Sequence, residues 1–274
     1  MPDRARGVGA CESRYSGTSG PHLPNRRFTT TGIVLRQNGL GENDRWITVL
    51  TADRGKLTCI AKGVRSVKSR RNPHVEPLNR VKLELWKSVH HHYLTAATAE
   101  ERFNELKKEM TSLSSAAFMA EATDRLIEED QNHPELFALL SEGLELMNFY
   151  PEKHALLREG YLVKLLKLLG LLPSFRTCSR CQGKLPAQTA YLDPVQNTLQ
   201  CEPCVREGPE IALEPISLDQ LKLLAFMSDY PLSESLKLKI HPEHLETLAA
   251  YGRRFLYHHH SKRLHSETAL LTYA

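Results

Sequence analysis

Four cysteines in two C-x-x-C pairs constrain the fold of this chain more than any other feature. Cys178, Cys181, Cys201 and Cys204 give the spacing C-x2-C-x19-C-x2-C. Two thiolates on one tight turn reach the same metal ion, and a second such pair completes a tetrahedron. The spacing therefore predicts one bound zinc ion with these four cysteines as its ligands.

The ligand set also predicts what the zinc does. Four protein ligands leave no coordination position for water or substrate, so the site is predicted to be structural. Both pairs lie among Gly, Pro and polar residues, unlike a redox-active pair at the start of a helix. Zinc deaminases carry H-x-E followed by P-C-x-x-C, and only the first half is present, as His74-Val75-Glu76. A zinc-dependent nuclease or deaminase remains an alternative.

Composition predicts a folded cytoplasmic protein of two domains. The 274 residues are 41% hydrophobic and 25% charged, the proportions of a globular chain. No run of about 18 apolar residues and no apolar signal segment is present, so we expect no membrane association. Residues 1–26 are rich in Gly, Ser, Pro and Arg and are predicted to form a disordered leader.

Charge divides the chain near residue 98. Residues 1–98 contain 17 Lys and Arg against 7 Asp and Glu, a net charge of +10, while residues 99–274 contain 19 against 25, a net charge of −6. A basic first third joined to an acidic remainder indicates different partners for the two parts, with a polyanion for the first.

Residues 27–98 read as five short strands separated by turn residues. The fourth shows the clearest period of two, with Val81, Leu83 and Leu85 on one face and Lys82, Glu84 and Trp86 on the other. Five strands in about 70 residues fit the oligonucleotide-binding (OB) barrel. The predicted fold class is therefore α+β, beginning with an OB barrel.

Residues 99–274 have the helical period instead and are predicted to form a bundle, with a zinc-finger insertion at residues 175–208. The segment EGYLVKLLKLLGLLP is apolar nearly all round and should be the buried central helix, ending at Gly170 and Pro173. Ser217 and Gln220 predict a capping box, and Pro242 the start of the last helix. Two apolar stripes mark the first helices: Phe103, Leu106, Met110, Leu113 and Ala117, then, after Pro134, Phe137, Leu140, Leu144 and Met147.

A basic stretch without acidic residues runs from Arg54 to Val75. Such a run is often only a solvated face, but here it occupies the third strand and the following loop of a predicted OB barrel. Trp46, Trp86 and Tyr93 lie on neighbouring strands, and basic grooves with aromatic platforms hold single strands by phosphate contacts and base stacking. The two tryptophans are equally compatible with the barrel core.

The remaining candidates for chemistry are weak. The chain has no phosphate-binding P-loop, H-E-x-x-H or G-x-S-x-G motif. The triplets His90–His92 and His258–His260 place adjacent rings on different faces, which favours surface histidines over a metal site. Cys59 is predicted to be a small core residue, and Cys11 lies in the leader.

The stretch GIVLRQNGLGENDRWITVLTADRGKLTCIAKGVRSVKS resembles the opening of the RecO family of bacterial recombination mediators. The matching features are the Gly32–Leu35 strand, Glu42-x-Asp44 before Ile47, Leu50-Thr51, Gly55 and Ala61-Lys62-Gly63-x-Arg65. The resemblance continues through a helical region with two C-x-x-C pairs and covers about residues 27–256.

The resemblance implies a DNA-repair protein without enzymatic turnover, associated with the bacterial nucleoid. Such proteins bind single-stranded and double-stranded DNA and anneal complementary strands. They work with RecR and the single-stranded-DNA-binding protein so that RecA can load. The acidic tail of the single-stranded-DNA-binding protein, which ends in Phe, is expected to bind in an apolar pocket with a basic rim. Leu165 and Leu168 are candidates for the lining of this pocket, but a role in the helical core is the simpler interpretation. The expected DNA-binding residues are Lys56, Lys62, Arg65, Lys68, Arg70 and Arg71, with Arg36 and Arg45.

One alternative of another class stays open. The chain would then be a zinc-containing interaction scaffold, whose OB domain binds protein and does not itself anneal DNA. Its basic stretch would be merely solvated.

Overall fold

A computed structural model gives the fold and describes residues 26–66, 69–129, 131–185, 189–193, 195–208, 213–259 and 266. Of the predicted leader, only Arg26 lies within these ranges. No helix in the described ranges is both long and apolar enough to span a membrane. The strands are β1 (Arg27–Leu40), β2 (Asp44–Thr51), β3 (Gly55–Ala61), β4 (Arg80–Lys87), β5 (His92–Glu101), β6 (Thr189–Asp193), β7 (Thr198–Cys201) and β8 (Glu214–Ser217). The helices are α1 (Met110–Leu126), α2 (Pro134–Phe149), α3 (His154–Leu168), α4 (Glu202–Arg206), α5 (Leu218–Asp229) and α6 (Pro242–His259).

The first five strands close into the predicted OB-like barrel, in the order β1-β2-β3-β5-β4. All neighbouring pairs are antiparallel except β3 with β5, which run parallel. Val81, Leu83 and Leu85 of β4 are fully buried while Lys82 and Glu84 are exposed, so the predicted alternation is confirmed. The division of the chain at residue 98 stays a prediction, and β5 runs on to Glu101.

The helical region follows the barrel and is built around α3, as predicted. This helix packs against α1, α2, α5 and α6, which explains why it is apolar on nearly every side. Gly170 has a φ of +70°, the left-handed conformation that commonly terminates a helix. Ser217 and Gln220 exchange both hydrogen bonds of the predicted capping box at the start of α5.

The predicted apolar stripe on the first helix is wrong in two respects. Phe103 and Leu106 lie before the helix, because Phe103 has a φ of +50° and its backbone N–H donates to the Glu101 carboxylate. Within α1, Met110 is exposed, whereas the buried face includes Ser112, Ser115 and Ala116. Small side chains let α3 approach α1 closely, so packing overrode the hydrophobic pattern.

Polar contacts join the barrel to the helices. The Asp124 carboxylate of α1 accepts from Arg36 Nε at 2.5 Å and from Lys56 Nζ at 3.2 Å. Lys56 also donates to the Asp124 backbone carbonyl at 2.5 Å and is only 8% exposed. The turn before β3 lies against Gln131, whose carbonyl oxygen occupies the space beside Gly55. The barrel is thus fixed against α1 and the segment preceding α2.

Candidate nucleic-acid interface and metal centre

The four predicted metal ligands lie together. The sulfur atoms of Cys178, Cys181, Cys201 and Cys204 all lie within 4.8 Å of one another, and the Cys181 and Cys201 sulfurs are 3.8 Å apart. Among the described residues this is the one group of three or more His, Cys, Asp or Glu that could hold a metal ion. The first pair lies in the loop after α3, and the second joins β7 to α4.

Backbone N–H groups prepare Cys178 for metal binding. The amides of Arg180 and Cys201 each donate to the Cys178 sulfur at 3.4 Å. Burial raises the pKa of the Cys178 thiol, but backbone hydrogen bonds from Cys181, Cys201 and Arg180 together lower it to about 6. A thiolate is the form that binds metal, so the loop favours the ligand state of this cysteine.

The two cysteine pairs have few apolar contacts. The buried cluster contains Cys178, Cys201 and Cys204, and within the described part of the chain Leu185 is the one partly buried hydrophobic residue packed against it. The Arg180 guanidinium links the two loops by donating to the Cys204 carbonyl at 2.6 Å and the Glu207 carbonyl at 3.3 Å. The sheet β7-β6-β8 differs, because its apolar residues join the main helical core. A metal ion would therefore hold the loops rather than the sheet.

On the barrel, three aromatic side chains form a row on the outer surface. Strand register pairs Trp46 with Ile60, Ile60 with Tyr93, and Tyr93 with Trp86. Their neighbours Ile47, Cys59, Leu85 and Leu94 are buried in the barrel, so alternation points the row outward. We call Trp46, Tyr93 and Trp86 the aromatic row; all three are partly exposed, and the rings of Trp86 and Tyr93 are 5.6 Å apart.

Three of the predicted DNA-binding cations are exposed beside this row. Lys62 lies at the end of β3, with its Nζ 5.3 Å from the centroid of the Tyr93 ring. Arg65 and Arg70 are exposed in the following loop. The β1–β2 turn braces that loop, because Asp44 accepts from the Gly63 N–H at 2.7 Å and the Asn43 carbonyl accepts from the Arg65 N–H at 3.0 Å. The exposed cations therefore project from a fixed support.

The other predicted cations are placed differently. Lys56 is buried against Asp124, whereas Arg36 is exposed and donates to the same carboxylate. Arg71 donates to the carbonyls of Leu94 at 3.0 Å and Lys62 at 2.6 Å, which fixes the backbone from which the Lys62 side chain projects. Arg45 donates to the Gln37 side chain. Lys68 lies outside the described residues. Sequence reasoning missed Asp124, because it lies far along the chain from both of its partners.

The weaker candidates have structural explanations. His74 Nδ1 accepts the Ala99 backbone N–H at 3.0 Å, so this histidine braces β5. His91 packs edge-on against Trp46, with ring centroids 5.3 Å apart. Cys59 is fully buried in the barrel, and burial raises the pKa of its thiol to about 12. The side chains of His258 and His259, with all of His260 and Cys11, lie outside the description.

Comparison with known proteins matches both halves of the chain to one family. A family model described as Recombination protein O N terminal matches residues 26–103, and one described as Recombination protein O C terminal matches residues 108–268. The DNA repair protein RecO of Roseiflexus sp. (strain RS-1) is 31% identical over 238 residues, covering 85% of this chain and 83% of that protein. The DNA repair protein RecO of Anaeromyxobacter sp. (strain K) is 29% identical over 244 residues, covering 87% and 93% respectively.

Proposed function

Because the chain belongs to the RecO family of DNA repair proteins, we propose that it is a non-enzymatic mediator that binds single-stranded and double-stranded DNA and anneals complementary strands. In this proposal the barrel binds DNA, and the acidic helical region binds proteins. The zinc-bearing segment holds its own two loops together and takes no part in chemistry.

The observation that carries the proposal is the aromatic row beside exposed cations. Unpaired bases stack on aromatic faces whatever their sequence, while Lys and Arg contact the phosphates. Lys62 approaches the Tyr93 ring and so brings both kinds of contact to one place. Arg65 and Arg70 extend the positive surface along the adjoining loop. Lys56 and Arg71 support this surface in our proposal, because their side chains already donate to protein groups.

Annealing requires a surface that does not select sequence, since base pairing must make the selection. Phosphate contacts position a strand without identifying its bases. Neutralising two strands at once also reduces the repulsion between them. Double-stranded DNA has no unpaired bases to stack, so the exposed cations alone are proposed to hold it.

Zinc is the metal that we propose for the cysteine centre. A tetrahedron with zinc–sulfur bonds of about 2.3 Å has sulfur–sulfur separations of about 3.8 Å. The Cys181–Cys201 separation of 3.8 Å fits that value. Bound zinc would supply a structural cross-link, because the four thiolates leave no open coordination position.

Reversing the charge of two exposed basic side chains is expected to weaken the binding of single-stranded DNA. Each lost phosphate contact flattens the dependence of log affinity on log salt by about 0.7, so Lys62→Glu with Arg65→Glu should reduce the slope by about 1.4 and the affinity at 0.1 M salt by roughly twentyfold. Annealing of complementary oligonucleotides should slow in parallel. Fluorescence anisotropy across a salt series measures both affinity and slope.

The matched control is Lys153→Glu with Lys239→Glu, which makes the same change in net charge at exposed positions of the helical region. This variant should keep both the slope and the annealing rate. Equal losses in the two variants would mean that net charge, not the barrel surface, governs binding. If neither variant changed binding, the scaffold alternative would replace our proposal.

The protein partners that we propose are RecR and the single-stranded-DNA-binding protein, with RecA loaded as a consequence. A cavity of about 440 Å³ beyond the end of α3 supports a site for an acidic, Phe-ended tail. Leu172 and Phe175 give it apolar walls, and Lys167 and Arg176 give it a basic rim. Leu165, considered from sequence, is buried in the core, and Leu168 is 43% exposed.

Asp229 is expected to compete with such a tail. Its carboxylate lies 2.8 Å from Lys167 Nζ and 3.1 Å from Arg176, and hydrogen bonds from Lys167 and Ser228 hold the pKa of Asp229 below its usual range. Exposed ion pairs are worth up to about 1 kcal/mol, so Asp229→Ala should strengthen binding of an acidic peptide ending in phenylalanine by about threefold to fivefold. Calorimetric titration would measure it. Glu234→Ala, which frees Lys237 elsewhere, is the control, and weaker binding by Asp229→Ala would reject this site.

A further inference from the structure

A second recess opens at one end of the aromatic row, where the barrel meets the helical region. It is a cleft of about 480 Å³, within the range of about 300–1,000 Å³ typical of small-molecule sites. Strands β1, β2 and β3 contribute side chains to it, as do the β4–β5 turn and the segment after α1. The residues that matter for recognition are Arg36, Asn38, Trp46, Thr58, His91 and Glu129.

The cleft lining includes an aromatic ring and a carboxylate. Trp46 forms the aromatic wall, supported edge-on by His91 at 5.3 Å between ring centroids. Thr58 and Trp46 both lie on the outer face of the barrel, and the Thr58 hydroxyl donates to Glu129 Oε1. This hydrogen bond holds the carboxylate in the same cleft as Trp46. A carboxylate has about four acceptor sites, so further donors can still be accepted.

The acidic residue of the cleft disfavours a phosphate beside it. Glu129 is exposed in the lining, and its carboxylate would repel an anion. Arg36 also lines the cleft, and its Nε already donates to Asp124 at 2.5 Å. A planar, uncharged group that stacks on Trp46 and donates hydrogen bonds to Glu129 therefore fits this cleft. In single-stranded DNA that group is a base, while its phosphate stays outside.

We propose that this cleft binds one unpaired guanine, an inference that rests on the proposed binding of single-stranded DNA. The Watson–Crick edge of guanine presents two adjacent donors, N1–H and the 2-amino group, which match a carboxylate. Adenine and cytosine each present one amino donor beside an acceptor nitrogen. The single N–H donor of thymine lies between two carbonyl acceptors, which a carboxylate repels.

A guanine site would set the register of the strand without making binding strongly selective. Neighbouring nucleotides are held through phosphates and stacking, which are indifferent to sequence. One preferred position therefore fixes where the strand starts along the aromatic row. Strands lacking guanine still bind, through the same cations.

Single-base substitution in an oligonucleotide tests the site. Oligothymidylates of twelve nucleotides, each with one central nucleotide replaced so that its base is guanine, hypoxanthine (inosine), adenine or cytosine, would be titrated against the full chain. The guanine strand should bind at least about fivefold more tightly than the all-thymidine strand, as expected for a bidentate contact. Inosine lacks the 2-amino group and should lose part of that gain. Equal affinity for adenine and guanine would show purine stacking alone and overturn the proposal.

Two carboxylate variants complete the test. Glu129→Gln replaces one acceptor oxygen with a donor and should abolish the guanine preference, while affinity for the all-thymidine strand is kept. Glu128→Gln removes the same charge one residue away and should retain the preference. A guanine preference that survives in Glu129→Gln contradicts the site. Failure of the wild-type chain to bind any strand would instead reject the proposed function.

Discussion

Replacing Cys178 with serine is expected to eliminate stoichiometric zinc binding and to unfold the two cysteine loops. Structural zinc in small domains contributes about 10–16 kcal/mol of apparent binding free energy, the largest single effect that we expect in this chain. Apolar packing contributes little to these loops, since Leu185 alone among the described residues packs against the buried cysteines, and the other links are hydrogen bonds such as those of Arg180. The zinc content measured by atomic absorption should fall from about one ion per chain to near zero.

The barrel should withstand this loss. Its core contains none of the four ligands, so single-strand affinity of the serine variant should stay close to that of the wild type at temperatures where the barrel is folded. Cys59→Ala is the control, because it removes a buried thiol from the barrel and leaves the metal centre untouched. A Cys178→Ser protein that folds normally yet no longer binds DNA would show that the centre belongs to the DNA interface.

Gly55→Ala is expected to be the most destabilising single substitution in the barrel that we consider. A Cβ atom at this position would lie 1.7 Å from the Gln131 carbonyl oxygen, and the residue has a φ of +68°. The left-handed conformation costs about 1 kcal/mol, and the overlap with rigid backbone adds about 2 kcal/mol or more. A total of about 3 kcal/mol corresponds to a fall in Tm of roughly 8 °C.

Gly41→Ala isolates the first of these effects, the cost of the left-handed conformation. Gly41 has a φ of +60° but no atom within 4 Å of its Cβ position, so only the conformational cost applies. Urea unfolding of the two variants should therefore differ by about 2 kcal/mol. Equal losses would mean that the turn at Gly55 is not pressed against the segment before α2, and that the barrel moves independently of the helices.

The parts of the fold that sequence predicted correctly depend on local signals. Alternation identified the buried face of β4, and Ser217 with Gln220 identified the start of α5 through a motif of four residues. The cysteine spacing predicted that four sulfur atoms would lie together, because the two members of each C-x-x-C pair are close along the chain. Such features need no knowledge of distant partners.

The parts that sequence left open depend on contacts between distant residues. Whether Trp46 and Trp86 face inward or outward follows only from the register of four strands. In the sequence, nothing distinguishes Lys56 from the exposed cations of the same basic stretch. Its partner Asp124 lies on a helix far along the chain, so the sequence did not predict the contact that buries Lys56. The same holds for Phe103, whose left-handed backbone interrupts an otherwise helical spacing. Because of these features, the proposed interface is no longer the whole run of cations. It consists of the aromatic row and the exposed cations beside it.

Tryptophan fluorescence tests the central claim most directly, because the only two tryptophans of the chain, Trp46 and Trp86, both lie in the aromatic row. Titration with an oligothymidylate should quench their emission in proportion to binding followed by anisotropy of a labelled strand. Trp46→Phe and Trp86→Phe should each leave a partial quench from the remaining tryptophan. Binding detected by anisotropy with no change in tryptophan emission would contradict the account, since the bases would then lie elsewhere on the molecule.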